Sequence, residues 1–147
     1  MSRHRFNASL AASTIAISLC AAPALAKTEI KGAAILDHAC GKVAVKQMGL
    51  MHAGKFDDAN KLSTPEMQAQ WKAMPAKDRE MMSGMAKDMS ETDAQFTADI
   101  KAAGVMVIDG PSATLTVQKK AKDANGSSTS TITQNYKIVG NDCLVAR

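Results

Sequence analysis

The sequence predicts an α+β fold in one domain, with N-terminal helices followed by an antiparallel β-meander. Three observations lead there. Up to Ala103, apolar residues recur at three- and four-residue steps, the spacing of a helix face. From Gly104 onward the period falls to two, and Ala113, Leu115 and Val117 alternate with Thr114, Thr116 and Gln118. Between the later runs stand Asp109-Gly110-Pro111, Asp123-Ala124-Asn125-Gly126 and Gly140-Asn141-Asp142, each a turn signal.

The chain opens with a segment of another kind. Arg3, His4 and Arg5 make a short basic start, and Leu10 to Ala22 is an apolar run too short to span a bilayer. Ala24-Leu25-Ala26 has the small-x-small pattern of a signal peptidase site. The expectation is an export signal over residues 1–26, cleaved after Ala26, and a domain over residues 27–147 in the periplasm. The competing lipoprotein reading needs a small residue before Cys20, and Leu19 is not small.

Residues 29–53 read as one long amphipathic helix, with Leu36, Cys40, Val43, Gln47 or Met48, and Met51 inward and Lys42 and Lys46 outward. Gly54 ends it as a left-handed cap. Phe56, Ala59 and Leu62 mark a short second helix. Ser63-Thr64-Pro65-Glu66 starts the next, with Thr64 as capping acceptor and Pro65 at the first helical position. That helix carries Met67, Trp71 and Met74 on one face. Pro75 interrupts, Ala76 to Met89 forms a further helix, and Ser90 to Asp93 resembles a cap for one that buries Phe96 and Ile100 and closes at Gly104. Strands follow at 105–108, 112–122, 128–139 and 143–145, with Ile132, Gln134, Tyr136 and Ile138 sharing a face.

Removing 26 of the 147 residues leaves 121, the size of one ordinary domain. Arg3 and Arg5 leave with the signal, so sixteen basic residues face fourteen acidic ones. Lys119, Lys120 and Lys122 are the densest basic cluster and are expected on a solvated strand edge. No basic stripe interleaved with aromatics points to nucleic acid. No second long apolar segment points to a membrane span. Of three cysteines, Cys40 and Cys143 follow the signal, and an even pair in an oxidising compartment is expected to form a disulfide. Neither has a Cys or His neighbour at a zinc-ligand spacing, so no metal site and no cofactor are expected.

His52-Ala53-Gly54-Lys55-Phe56-Asp57-Asp58-Ala59 with Leu62-Ser63, then Gly104 to Ile108, Ala113 to Val117 and Tyr136-Lys137-Ile138-Val139, is similar to the order of small exported NTF2-like domains. The resemblance covers most of residues 31–146, although Tyr136-Lys137-Ile138 stands where a Trp-Lys-Val/Ile element is usual. It implies a curved sheet wrapped around a helix to form a cone with a pocket. Family members include enzymes, carriers and structural modules, so fold alone does not assign activity. Enzymatic members place an acid or base in the cone, and the candidates here are Tyr136, Asp109, His52 and Asp57. No Ser–His–Asp or Cys–His arrangement stands out, and no catalytic residue is expected.

Nine of ten methionines follow residue 26, and five lie between Met74 and Met89. Met81, Met85 and Met89 form a stripe at four-residue spacing, with Met82 beside it. Thioethers suit Cu(I) and Ag(I), but unbranched methionines also fill cores and adaptable interfaces, and the second reading is favoured. The expected function is non-enzymatic binding through a pocket or this face, with Met81, Met82, Met85, Met89 and Tyr136 as contact residues. The partner is another envelope protein, a small apolar ligand or a toxin that the domain neutralises. The alternatives are Cu(I)/Ag(I) binding and a small enzyme using Tyr136 and Asp109.

Overall fold

The computed structural model describes residues 26–123 and 126–147, so all but the last residue of the expected 1–26 signal lies outside the described residues. The architecture is α+β in a single domain. A five-stranded antiparallel sheet, in the order β1-β2-β3-β4-β5, is packed on one face by helices. The strands are β1 (Thr28–Lys31), β2 (Gly104–Asp109), β3 (Ser112–Asp123), β4 (Gly126–Val139) and β5 (Asp142–Ala146). The helices are α1 (Ala39–His52), α2 (Phe56–Asn60), α3 (Pro65–Ala73), α4 (Ala76–Met89) and α5 (Asp93–Ala103). Among the described residues, no helix is long and apolar enough to cross a membrane.

The largest departure from expectation is at the start. Residues 29–53 are not one helix: β1 is followed by a 3-10 helix, Gly32–Asp37, and only then by α1. Tertiary pairing overrides local periodicity here, because Thr28–Lys31 ladders against Val105–Ile108 and sets Ile30 opposite Met106. Gly32 makes the corner with φ of +56°, a conformation that side-chain-bearing residues avoid. His38 is extended at the N-cap of α1, and its Nδ1 accepts from the Cys40 amide at 3.2 Å. His38 is therefore a cap, a role its sequence position did not reveal.

The remaining helices lie where periodicity placed them. Gly54 has φ of +73° just past α1, as a left-handed cap requires. Pro65 opens α3, but Thr64 does not cap it through its side chain. The Glu66 carboxyl is instead held below its ordinary pKa by its own backbone amide and by the Thr64 hydroxyl. At α5, Thr92 and Gln95 form a reciprocal capping box. Gly104 ends α5 and starts β2, and a Cβ there would sit 2.6 Å from the Ile100 carbonyl oxygen.

The β3–β4 hairpin is longer than the alternation indicated, pairing Asp123 with Gly126 across residues 124 and 125, which are outside the described set. Met106, Ala113, Leu115, Val117, Tyr136, Cys143 and Val145 point inward onto Ile35, Cys40, Ala44, Phe96 and Ile100. The other face is exposed to half-exposed and largely polar, with Thr114, Thr116, Thr131, Thr133, Asn135 and Lys137 beside Val105, Val107, Val139 and Leu144. The α2–α3 linker closes the β5 edge: Thr64 N–H donates to Val145 O at 2.9 Å, and Val145 N–H donates to Leu62 O at 2.8 Å. A Cys40–Cys143 disulfide ties α1 to β5. Lys119 departs from the solvated-edge expectation, because its side chain turns inward to pair with Glu91 and with Asp99.

Candidate functional site

α4 buries none of its residues. Met81 is 60%, Met82 46%, Met85 59% and Met89 80% exposed, so the stripe is not core. Arg79, Ser83 and Ala86, at three- and four-residue spacing, are only half-exposed and form the inward side, while Lys77 and Asp88 lie exposed alongside the methionines. α4 packs against α1. Gly84, also exposed, has nothing within 4 Å of where a Cβ would stand, so the outward side is open.

Tyr136 is placed in the packed core, not in a cavity. Asp109, one residue beyond inward-facing Ile108, points to the opposite side of the sheet, is exposed, and pairs with Lys27 at 3.1 Å. The two residues of the enzymatic alternative therefore do not converge. Burial pushes the Tyr136 phenol well above its ordinary pKa. The folded state thus favours the neutral phenol, and the resulting stability is fully present below the unfolded-state pKa of about 10 and declines as pH rises above it. Because the chain has a single tyrosine, alkaline titration should show tyrosinate absorbance appearing together with loss of ellipticity. Ionisation at ordinary tyrosine pH in a still-folded protein would contradict this placement.

His52 and Asp57 do not meet as a pair. His52 Nδ1 lies 3.0 Å from the Ser90 carbonyl just past α4. A carbonyl only accepts, so Nδ1 carries the proton and Nε2 the lone pair in the neutral ring. Asp57 Oδ1 instead accepts from Trp71 Nε1 at 3.0 Å, orienting the indole in a cleft of about 620 Å³ shared with Phe56 and Arg79. Sequence reading assigned neither partner, since both are distant along the chain. Among the described residues, no three His, Cys, Asp or Glu side chains gather as a metal site.

A hollow of about 700 Å³, open to solvent, lies between α1 and α5 and went unassigned in the sequence. Its floor is an α1 stripe containing Lys42, Val45, Lys46, Gly49 and Leu50, and its far wall is Leu36 with the first turns of α5. The signal was present in Val45 and Leu50, two apolar residues beside the lysines of the helix's outer side. No protein-family model, curated protein or solved structure matches the chain.

Proposed function

We propose that the chain is an exported, non-enzymatic binding domain whose α4 methionine face docks on another envelope protein. The observation that carries this reading is a helix with no buried residue and four methionines in solvent. These side chains contribute little to the domain's own core, and a contiguous apolar helix face in water is a common mark of an interaction surface. Unbranched thioethers re-pack easily around a partner's contours, and an amphipathic helix laid in a groove is a recurring recognition mode. The partner surface is therefore an apolar groove with polar margins that meet Lys77 and Asp88. Export is supported by the N-terminal pattern, and the NTF2-like resemblance by the order of helices before meander.

A photo-crosslinking residue in place of Met85 tests the reading, with the same group in place of Thr133 on the bare sheet face as control. One defined envelope protein captured from Met85 alone, and lost in an M81E variant, is the expected result. Equal capture from both positions, or none from Met85, would remove the reading. A toxin neutralised in the periplasm would be identified by the same capture.

A second reading has its own observation. Met89 immediately precedes Ser90, whose carbonyl lies 3.0 Å from His52 Nδ1, and the four thioethers of the stripe stand in solvent. Cu(I) or Ag(I) suits such soft donors. Uptake of Cu(I) in competition with a chelator, abolished in M85L/M89L with folding intact, would favour metal binding. No uptake by the wild type would end that reading.

A further inference from the structure

The groove between α1 and α5 lies apart from the methionine face and has a charge pattern of its own. Lys42, Val45, Lys46, Gly49, Leu50 and Ala53 recur at three- and four-residue steps, so they form one continuous stripe. At 1.5 Å per residue the stripe runs about 16 Å. Val45 and Leu50 remain half-exposed along it, with Leu36 opposite. Lys42 and Lys46 stand one turn apart between these two apolar residues, which lie about 140° apart around the helix, and Lys55 stands at the end of the stripe.

These three ammonium groups have no ion-pair partner among the described residues. The carboxylate lining the groove, Asp93, is engaged in the first turn of α5, where its Oδ1 accepts from the Ala94 amide at 2.8 Å and the helix dipole favours it. Asp58, which feels Lys46 and Lys55 at longer range, is held by Lys61 at 2.8 Å. His52, on the same wall, is tied through Nδ1 to Ser90. The hollow thus carries a central row of lysines on α1, flanked by Val45 and Leu50, with Asp93 against Gly49 and Leu36 also on the lining.

We propose that this groove binds a single-chain anionic amphiphile, a medium-length alkyl carboxylate. Its chain fills the hollow that Leu36, Val45 and Leu50 line, and its headgroup pairs with Lys42 and Lys46. A peptide fits less well, because the middle of a helix has no free backbone donors or acceptors to satisfy a peptide's amides. An alkyl chain brings no such demand, and its carboxylate supplies the missing counter-charge.

The test is amide chemical-shift mapping of the purified protein titrated with decanoate and then dodecanoate below their micelle concentrations. Shifts should concentrate in α1 and the first turn of α5. Affinity should rise by about threefold to fourfold for each methylene that enters the groove. K42Q/K46Q alters two exposed side chains, so its fold should persist by circular dichroism, and it should weaken dodecanoate binding by about tenfold. Decyl maltoside, with an uncharged headgroup, should bind far more weakly than decanoate. Absence of shifts, equal binding of the uncharged amphiphile, or unchanged affinity in K42Q/K46Q would each overturn the proposal. Binding to phosphatidylglycerol vesicles without binding of monomeric carboxylate would also overturn it, in favour of a membrane surface. The α4 crosslinking experiment is independent of every one of these results.

Discussion

Breaking the Cys40–Cys143 bond should lower the unfolding free energy by about 3 to 5 kcal/mol, a large share of a domain's usual total. The two cysteines are separated by 103 positions, so the bridge closes most of the domain into one loop in the unfolded chain. Chain-entropy reasoning puts a link of that span at about 4 to 5 kcal/mol, and native strain reduces it. The location adds to the effect. β5 is the last strand, paired on one side to β4 and, among the described residues, on the other to the short Leu62–Thr64 linker. The disulfide fastens this strand to α1 from inside the core, where both cysteines are buried. A C40A/C143A variant compared with wild type by urea denaturation is the measurement. A difference below about 1 kcal/mol, or two titratable thiols in the unfolded and unreduced protein, would contradict the assignment.

Gly41→Ala should be strongly destabilising. A Cβ at Gly41 would lie 2.7 Å from the Ile35 carbonyl carbon and closer still to its oxygen, with the Ile35 side chain at 3.0 Å. The obstacle is largely backbone, in the 3-10 helix that turns β1 into α1, so no rotamer change relieves it. Helix propensity alone would favour alanine over glycine by about 1 kcal/mol, and the overlap must exceed that gain. The expected net loss is about 2 to 3 kcal/mol, or roughly a 10 °C fall in Tm for a domain of this size. Gly84→Ala supplies the control, because it sits in exposed α4 with nothing within 4 Å. It should raise stability by up to about 1 kcal/mol. Equal effects at the two glycines would show that α1 does not approach the 3-10 helix as described.

How far the fold was legible follows from where its information lies. α4, α5 and the β3–β4 hairpin were readable because their signals are local: Pro75 before a periodic run, a capping arrangement before Phe96, strict alternation through Leu115 and Val117. The inward face Ile132, Gln134, Tyr136 and Ile138 was readable for the same reason. Residues 28–38 were not. Their periodicity fits a helix, and only the edge of β2, more than seventy positions away, offers the ladder that makes Thr28–Lys31 a strand. Lys119 was misplaced in the same manner, because its partners Glu91 and Asp99 come from across α5.

The candidate surfaces divide likewise. The sequence by itself determined that methionines would line one side of α4, since helical spacing fixes which residues share a face. It also determined that Cys40 and Cys143 would be the pair left after the expected cleavage. Which faces are covered was decided only by the tertiary structure. It left the α4 stripe in solvent, placed Tyr136 in the core with Asp109 on the far side of the sheet, and opened a lysine-lined groove between α1 and α5. The physical reason is that periodicity specifies a side chain's direction relative to its own element. Burial depends on what packs against that direction, and those neighbours are chosen by contacts between residues far apart in the chain.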